Sequence, residues 1–304
     1  MASARNLYRL HLTLGALAVG AVALALAVTV RAVDFAAPSL SKLVTLCQQA
    51  LVSGVELHRV ALLTLAGLSA LVVLRATRSA ARQLLGTCRF MRTLRVVDRA
   101  RTAPAAFVIE DTSPRAFCAG YLRARVYVST GTLALLSDSQ LEAVIAHEAH
   151  HARRRDPLRM LVAQMIAEGV FFVPVLRRSR ERYAALAEVA ADEAAVGISG
   201  CSGPLAAALL AFDTHGGLAT GVAPERVDHL TGRRRGWDVP PRDLVGGVLT
   251  VTALGAAAAA AGLTTAAGGF TIASVALSSC TIALAAVPVF SVIAAARLLR
   301  RRVA

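Results

Sequence analysis

Acidic residues are scarce in this chain. Of 304 residues, 19 are aspartate or glutamate against 33 lysine or arginine, giving a formal charge of +14 at pH 7; charged residues make up 17% and hydrophobic ones 56%. That shortage of charge excludes an ordinary water-soluble globule, whose composition runs near ~25% charged, and makes a membrane protein the default. Cysteine is sparse too: five, at positions 47, 88, 118, 201 and 280, with no C-x-x-C pair. An odd, scattered set implies neither a disulfide framework nor a thiolate metal site. Cys118, in a possible strand, reads as small buried filler. No internal repeat is visible, and alanine runs such as residues 255–262 are helix filler with no chemistry of their own.

What the chain does have is long apolar runs. Leu12 to Val30 is an uncharged stretch of 19 residues, and Val60 to Leu74 is a shorter one whose flanking Arg59 and Arg75 can snorkel to the interfaces. From Leu244 to Ala296 there are 53 residues without a charge, room for two spans of roughly 20 residues each, joined near residues 263–269. The expected organisation is a transmembrane hairpin over 1–76, a water-facing domain over 77–243 and a second hairpin over 244–304. A cleaved signal peptide ending after Val30 is the lesser alternative, because the run is long for one and a second apolar run follows.

The arginines orient this arrangement. Arg75, Arg78, Arg82, Arg89, Arg92, Arg95, Arg99 and Arg101 follow the second span with Asp98 the lone acid among them, which makes that segment cytoplasmic by the positive-inside rule. Arg233, Arg234, Arg235 and Arg242 precede the C-terminal hairpin and Arg297, Arg300, Arg301 and Arg302 follow it, so both termini and the middle are expected inside. Basic residues beside apolar spans point to anionic headgroups of a lipid bilayer as partner, and no nucleic acid is expected.

In the middle region, residues 105–110, 115–122 and 124–131 carry β-branched and aromatic residues between turn-prone groups and suggest two or three strands in a small antiparallel sheet. Ser137 with Gln140 three residues on is a capping-box spacing, so a helix is expected to start there and to end before Pro157. Residues 160–176 are apolar but short, contain Glu168 and Pro174, and are expected to dip into or lie on the inner leaflet, with a true span as the lesser alternative. A second polar helix is expected over 178–198.

The chemistry lies on the first of these helices, in the stretch AHEAHHARRRD at 146–156. At about 100° per residue, His147 and His151 share a face, Glu148 lies on its flank, and His150 points off the other side. Two imidazoles one turn apart can hold Zn2+, and Glu148 can take the proton of a water activated there. A third ligand is needed. Glu142 points well away from the pair; Glu188 is better placed, because Glu188 and Asp192 are one turn apart on the next polar helix and both can face the histidines. Asp192 would then accept from a ligand imidazole. A solvated polar helix is the bland alternative.

H-E-x-x-H at 147–151, E-x-x-A-D at 188–192 and the spacing from His151 to Asp156, with an apolar segment between, resemble the membrane zinc peptidases of the beta-lactam sensor and signal-transducer type. Residues 100–200 are similar as well to the membrane endopeptidases of the heat-shock and CAAX-processing kind; the RRRD ending and the hairpin layout favour the first. The resemblance implies a mainly α, multi-pass membrane protein with a gluzincin-type α+β zinc peptidase domain between its hairpins. It implies Zn2+ held by His147, His151 and Glu188, Glu148 as base, and an active site at the cytoplasmic face of the cell membrane. Phe117 to Tyr121 would be the edge strand that pairs with substrate backbone. The implied partner is a protein substrate, a transcriptional repressor or another membrane-proximal protein. With no penicillin-binding domain in the sequence, direct antibiotic sensing is not expected. His215 and His229 are assigned no role. A non-catalytic membrane sensor or scaffold on the same fold is the alternative from a different class.

Overall fold

The computed structural model describes residues 2–34, 57–100, 105–215, 240–265 and 270–271. In chain order the helices are α1 (Ala2–Ala32), α2 (Leu57–Thr93), α3 (Thr130–Leu135), α4 (Asp138–Arg154), α5 (Asp156–Gly169), α6 (Pro174–Ser199), α7 (Gly203–Thr214) and α8 (Pro241–Thr265). The strands are β1 (Val33–Asp34), β2 (Val96–Ala100), β3 (Ala106–Ile109), β4 (Ala116–Ala119), β5 (Arg125–Ser129) and β6 (Phe270–Thr271). Among the described residues, three helical stretches are long and apolar enough to cross a membrane: Ala4–Arg31, Val60–Thr93 and Pro241–Leu263. The second span expected for the C-terminal hairpin, most of its loop, and His229 lie outside the described residues.

The chain divides into two compact units, Met1–Ala16 with Val73–Val248, and Leu17–Val72 with Leu249–Ala304. In the second unit, α1, α2 and α8 meet through Ala25, Leu62, Leu65, Ala258 and Ala261, and small residues at such an interface let helix backbones approach closely. Large apolar residues such as Leu24 and Leu71 remain exposed on its surface, as a lipid-facing helix requires. The buried Ser69 hydroxyl donates to the Leu65 carbonyl one turn back at 2.7 Å, which satisfies it without a solvent partner.

The first unit carries the four-stranded sheet, in the order β2-β3-β5-β4. The sheet is mixed rather than antiparallel throughout: β2 pairs with β3 and β4 with β5 antiparallel, but β3 and β5 run parallel. The reason is topological. β4 follows β3 in sequence yet docks on the outer side of β5, leaving β3 and β5 side by side in the same direction. Gly120 permits the turn that folds β5 back on β4: its φ is +104°, and a Cβ there would lie 2.7 Å from the Arg123 carbonyl oxygen.

Both faces of the sheet are covered. Ala106, Val108, Val126 and Val128 pack on Ile145 and Ala149 of α4, while Ile109, Ala119 and Tyr127 pack with Met91 and Leu94 on the other side. Met91 belongs to α2, whose 37 residues make a helix of about 55 Å, well beyond a hydrocarbon core of about 30 Å. The arginine-rich segment after the second span is therefore helical over most of its length. By the same arithmetic α5, with 14 residues ending at Gly169, reaches only about 21 Å and is too short to cross.

Helix α4 begins as its sequence signal requires, with the Ser137 backbone N–H donating to Gln140 Oε1 at 3.0 Å. It ends at Arg154, where Arg155 takes left-handed geometry (φ 54°, ψ 41°). Pro157 in the first turn of α5 then fixes the new helix direction.

Candidate metal centre

α4 turns a run from Ala143 to His147 inward, all of it buried. One turn apart on this helix, His147 and His151 bring their Nε2 atoms to 3.2 Å, with the ring planes at 74°. α6 packs along α4 and delivers Glu188 to the same point. One carboxylate oxygen lies 3.5 Å from His147 Nε2 and the other 3.5 Å from His151 Nε2. Donor atoms of these three residues fall within 4.8 Å of one another.

These separations fit a metal ion. Two ligands at ~2.0–2.1 Å from a tetrahedral zinc stand about 3.3–3.4 Å apart, close to the spacing found here. Two imidazoles and a carboxylate are also the donor set that a borderline-soft divalent cation prefers.

Each imidazole is held from behind by an aspartate. His147 Nδ1 lies 2.9 Å from Oδ1 of the fully buried Asp192, and His151 Nδ1 lies 2.9 Å from Oδ2 of Asp156. A carboxylate at Nδ1 keeps the proton there and leaves the Nε2 lone pair free for a cation. Asp156 in turn accepts from the Tyr183 hydroxyl at 3.0 Å, with Arg154 Nε at 3.6 Å and Arg159 Nη1 at 3.8 Å.

The electrostatics favour positive charge at this point. Burial opposes protonation of His147, but the side chains of Asp192 and Glu188 and the charge of Glu148 outweigh it and raise the ring's pKa to about 9. Burial likewise opposes ionisation of Asp156, yet His151, Tyr183 and Arg154 hold its carboxyl below the usual range. His150 behaves oppositely: burial and the charges of Arg154 and His151 push it down to about 4.

Glu148 is half-buried and lines, with His147, His151 and Glu188, a cavity of about 510 Å3. One wall of that cavity is Ala116, Phe117 and Cys118 of β4, which is an outer strand of the sheet. Another wall is apolar, formed by Val144 with Leu205, Leu209 and Phe212 of α7. Burial, with the nearby charges of Glu148 and Asp156, raises the Cys118 thiol to about 12; its sulfur is not among the donor atoms that converge between His147, His151 and Glu188.

Of the residues singled out from sequence, His147, Glu148, His151, Glu188 and Asp192 come together. Glu142 is exposed, and so is His215, whose ring Nδ1 turns to the Ala211 carbonyl at 2.9 Å. His150 is buried with its ring 6.4 Å from that of His151, outside the cluster of donor atoms formed by His147, His151 and Glu188. Sequence reasoning used Asp156 only as a spacing and passed over its contact with His151 and the part of Tyr183. The signal for Asp156 was an acid just past the end of the histidine helix; nothing in the sequence pointed to Tyr183.

Residues 87–215, which hold every one of these groups, match peptidase family M48. Among curated proteins, the chain is 42% identical over 69 residues to "Protease HtpX homolog" of Sulfurovum sp. (strain NBC37-1), an overlap of 22% of this chain and 25% of that protein. It is 39% identical over 69 residues to the protein of the same name from Acidiphilium cryptum (strain JF-5), covering 22% and 24%. The Thermoanaerobacter pseudethanolicus (strain ATCC 33223 / 39E) protein of that name is 39% identical over 66 residues, covering 21% and 22%. The chain thus spans about a quarter of the length of the curated relatives it matches. No solved structure matches. The region that assembles two histidines and a glutamate around one point is therefore similar to peptidase family M48, in a chain with three helical stretches long and apolar enough to cross a membrane.

Proposed function

We propose that this protein is a membrane-embedded zinc metalloendopeptidase, with Zn2+ held by His147, His151 and Glu188, Glu148 as general base, and Asp192 and Asp156 orienting the two imidazoles. The observation that carries this reading is the convergence of both Nε2 atoms and the Glu188 carboxylate at separations of 3.2–3.5 Å, beside a cavity that Glu148 also lines.

When bound, zinc supplies Lewis-acid polarisation of the scissile carbonyl and acidifies water. The protein's groups do the rest. Glu148 takes the proton of the attacking water and returns it to the leaving amine. The outer edge of β4 offers backbone groups with which an extended substrate segment pairs, as peptides do at open sheet edges. The apolar wall of Val144, Leu205, Leu209 and Phe212 takes a hydrophobic substrate side chain.

The substrate is a protein reached at the cytoplasmic face. This orientation, like the division into two hairpins flanking a peptidase domain over 77–243, rests on the arginines that follow the second span. A reporter fused at Gly86 must then read out from the cytoplasm, and a readout from the other side overturns the orientation. Regulatory cleavage of a repressor is one role for the site. Membrane protein quality control, of the heat-shock endopeptidase kind, is the second reading, favoured by matched relatives that carry the name "Protease HtpX homolog".

Glu148→Gln is the direct test. It keeps the ligand set and removes the base, so zinc content of the purified chain should be unchanged while cleavage falls by at least ~10²-fold. Cleavage at the original rate would sink the enzyme reading.

A further inference from the structure

The first turns of α1 are not a passive leader to a membrane span. Ala4, Leu7, His11 and Leu14 form a buried stripe at helical spacing, and they belong to the same compact unit as the candidate metal centre. The stripe docks on α6 by two matched contacts. His11 Nδ1 lies 2.8 Å from Ser179 Oγ. The Ser179 hydroxyl donates its single proton to the Leu176 carbonyl at 3.0 Å, so His11 must be the donor in that pair. One turn earlier on α1 and one turn later on α6, the rings of Tyr8 and Tyr183 meet with centroids 4.9 Å apart and planes tilted by 36°. Farther along α1, a Cβ at Gly15 would lie 2.6 Å from Ile166 Cγ2 of α5, so the two helices approach closely there.

Among the described residues Tyr183 is the largest of the fully buried side chains, and its hydroxyl has a defined task, donating to Asp156 Oδ1 at 3.0 Å. The other oxygen of that carboxylate is the one 2.9 Å from His151 Nδ1. Arg159 closes the group: its guanidinium sits over the Tyr8 ring at 5.6 Å and reaches Asp156 at 3.8 Å. A continuous set of contacts therefore runs from the first membrane helix through Tyr8, Tyr183 and Asp156 to the imidazole of His151.

We propose that Tyr183 is a positioning residue for His151, acting through Asp156, and that Tyr8 of α1 clamps its ring, so that metal retention depends on the docked N-terminal turns of the first membrane helix. This rests on the zinc reading above. Asp156 needs both oxygens fixed if His151 Nε2 is to hold its direction: without the Tyr183 hydroxyl, Oδ1 keeps only the longer ion-pair contacts to Arg154 and Arg159 at 3.6 and 3.8 Å, which hold the carboxylate less tightly and let it rotate and carry the imidazole with it. The aromatic contact fixes the phenol without using its hydroxyl, so Tyr8 acts by its ring alone.

The test uses the full-length chain in detergent micelles, with zinc affinity measured by competition against a chromophoric chelator and the ligand field read from the visible spectrum of the cobalt(II)-substituted protein. Removing a partner that orients a metal-bound histidine costs 10–100-fold in affinity, and one contact farther out we expect a loss of roughly 3–10-fold. Tyr183→Phe should show that loss with a shifted cobalt spectrum, while the metal-free thermal midpoint stays close to the original. Tyr8→Ala should weaken zinc binding similarly, and Tyr8→Phe, which keeps the ring, should restore it. If the unaltered chain binds zinc and Tyr183→Phe binds it equally with the same cobalt spectrum, the inference fails alone. If the unaltered chain binds no zinc, the functional reading fails and takes the inference with it. Loss in both Tyr8 variants would overturn the part assigned to the ring.

Discussion

The Nε2 atoms of His147 and His151 stand 3.2 Å apart, each 3.5 Å from an oxygen of Glu188, while the ring of the intervening His150 is buried outside that set. Replacing His147, His151 or Glu188 by alanine should therefore abolish stoichiometric zinc in the purified protein. His150→Ala should keep it. Metal analysis of the four variants checks this, and full zinc in His151→Ala or Glu188→Ala would overturn the ligand assignment.

Asp192 and Asp156 hold the far nitrogens of the two rings. Asp→Asn at either position preserves shape but removes the charge that favours an Nδ1 proton. Each should weaken zinc binding by ~10–100-fold, with the chain still folded. Chelator competition at fixed pH measures it; an unchanged affinity in both variants would mean that the carboxylates serve packing alone.

Cys118 lies on the cavity wall with its thiol pushed up to about 12, first by burial and then by the charges of Glu148 and Asp156. A raised thiol pKa leaves less thiolate at any given pH. Between pH 7 and 9 iodoacetamide should alkylate the exposed Cys201 well before Cys118, with labelling of Cys118 still rising above pH 9. Peptide mass spectrometry across that range gives the order. Glu148→Gln removes one of the charges that suppress ionisation and should speed labelling of Cys118.

Tertiary context also explains where expectations from sequence stopped short. From sequence, short β-branched and aromatic segments between turn-prone groups lead one to expect a small antiparallel sheet. The docking of β4 outside β5, with its apolar residues facing α2 and the sheet's inner strands, made it mixed. The apolar stretch from Met160 to Leu176 was expected to meet the inner leaflet as one segment. The chain breaks it at Gly169 and restarts a helix at Pro174, so that α6 can run back along α4.

By itself the sequence determined whatever depends on neighbours along one helix or on composition. The spacing of His147, Glu148 and His151 fixes their directions on α4, the capping box fixes where that helix starts, and uncharged runs fix the candidate spans, since a bilayer leaves backbone groups no partner outside a helix. Only the tertiary structure decided which acids meet which rings. Glu188 and Asp192 arrive from a helix packed across α4, Asp156 arrives through a single left-handed residue at Arg155, and Tyr183 and Tyr8 meet across a helix pair separated by most of the domain in sequence. Those contacts follow from how buried faces dock in three dimensions, and no local periodicity encodes that.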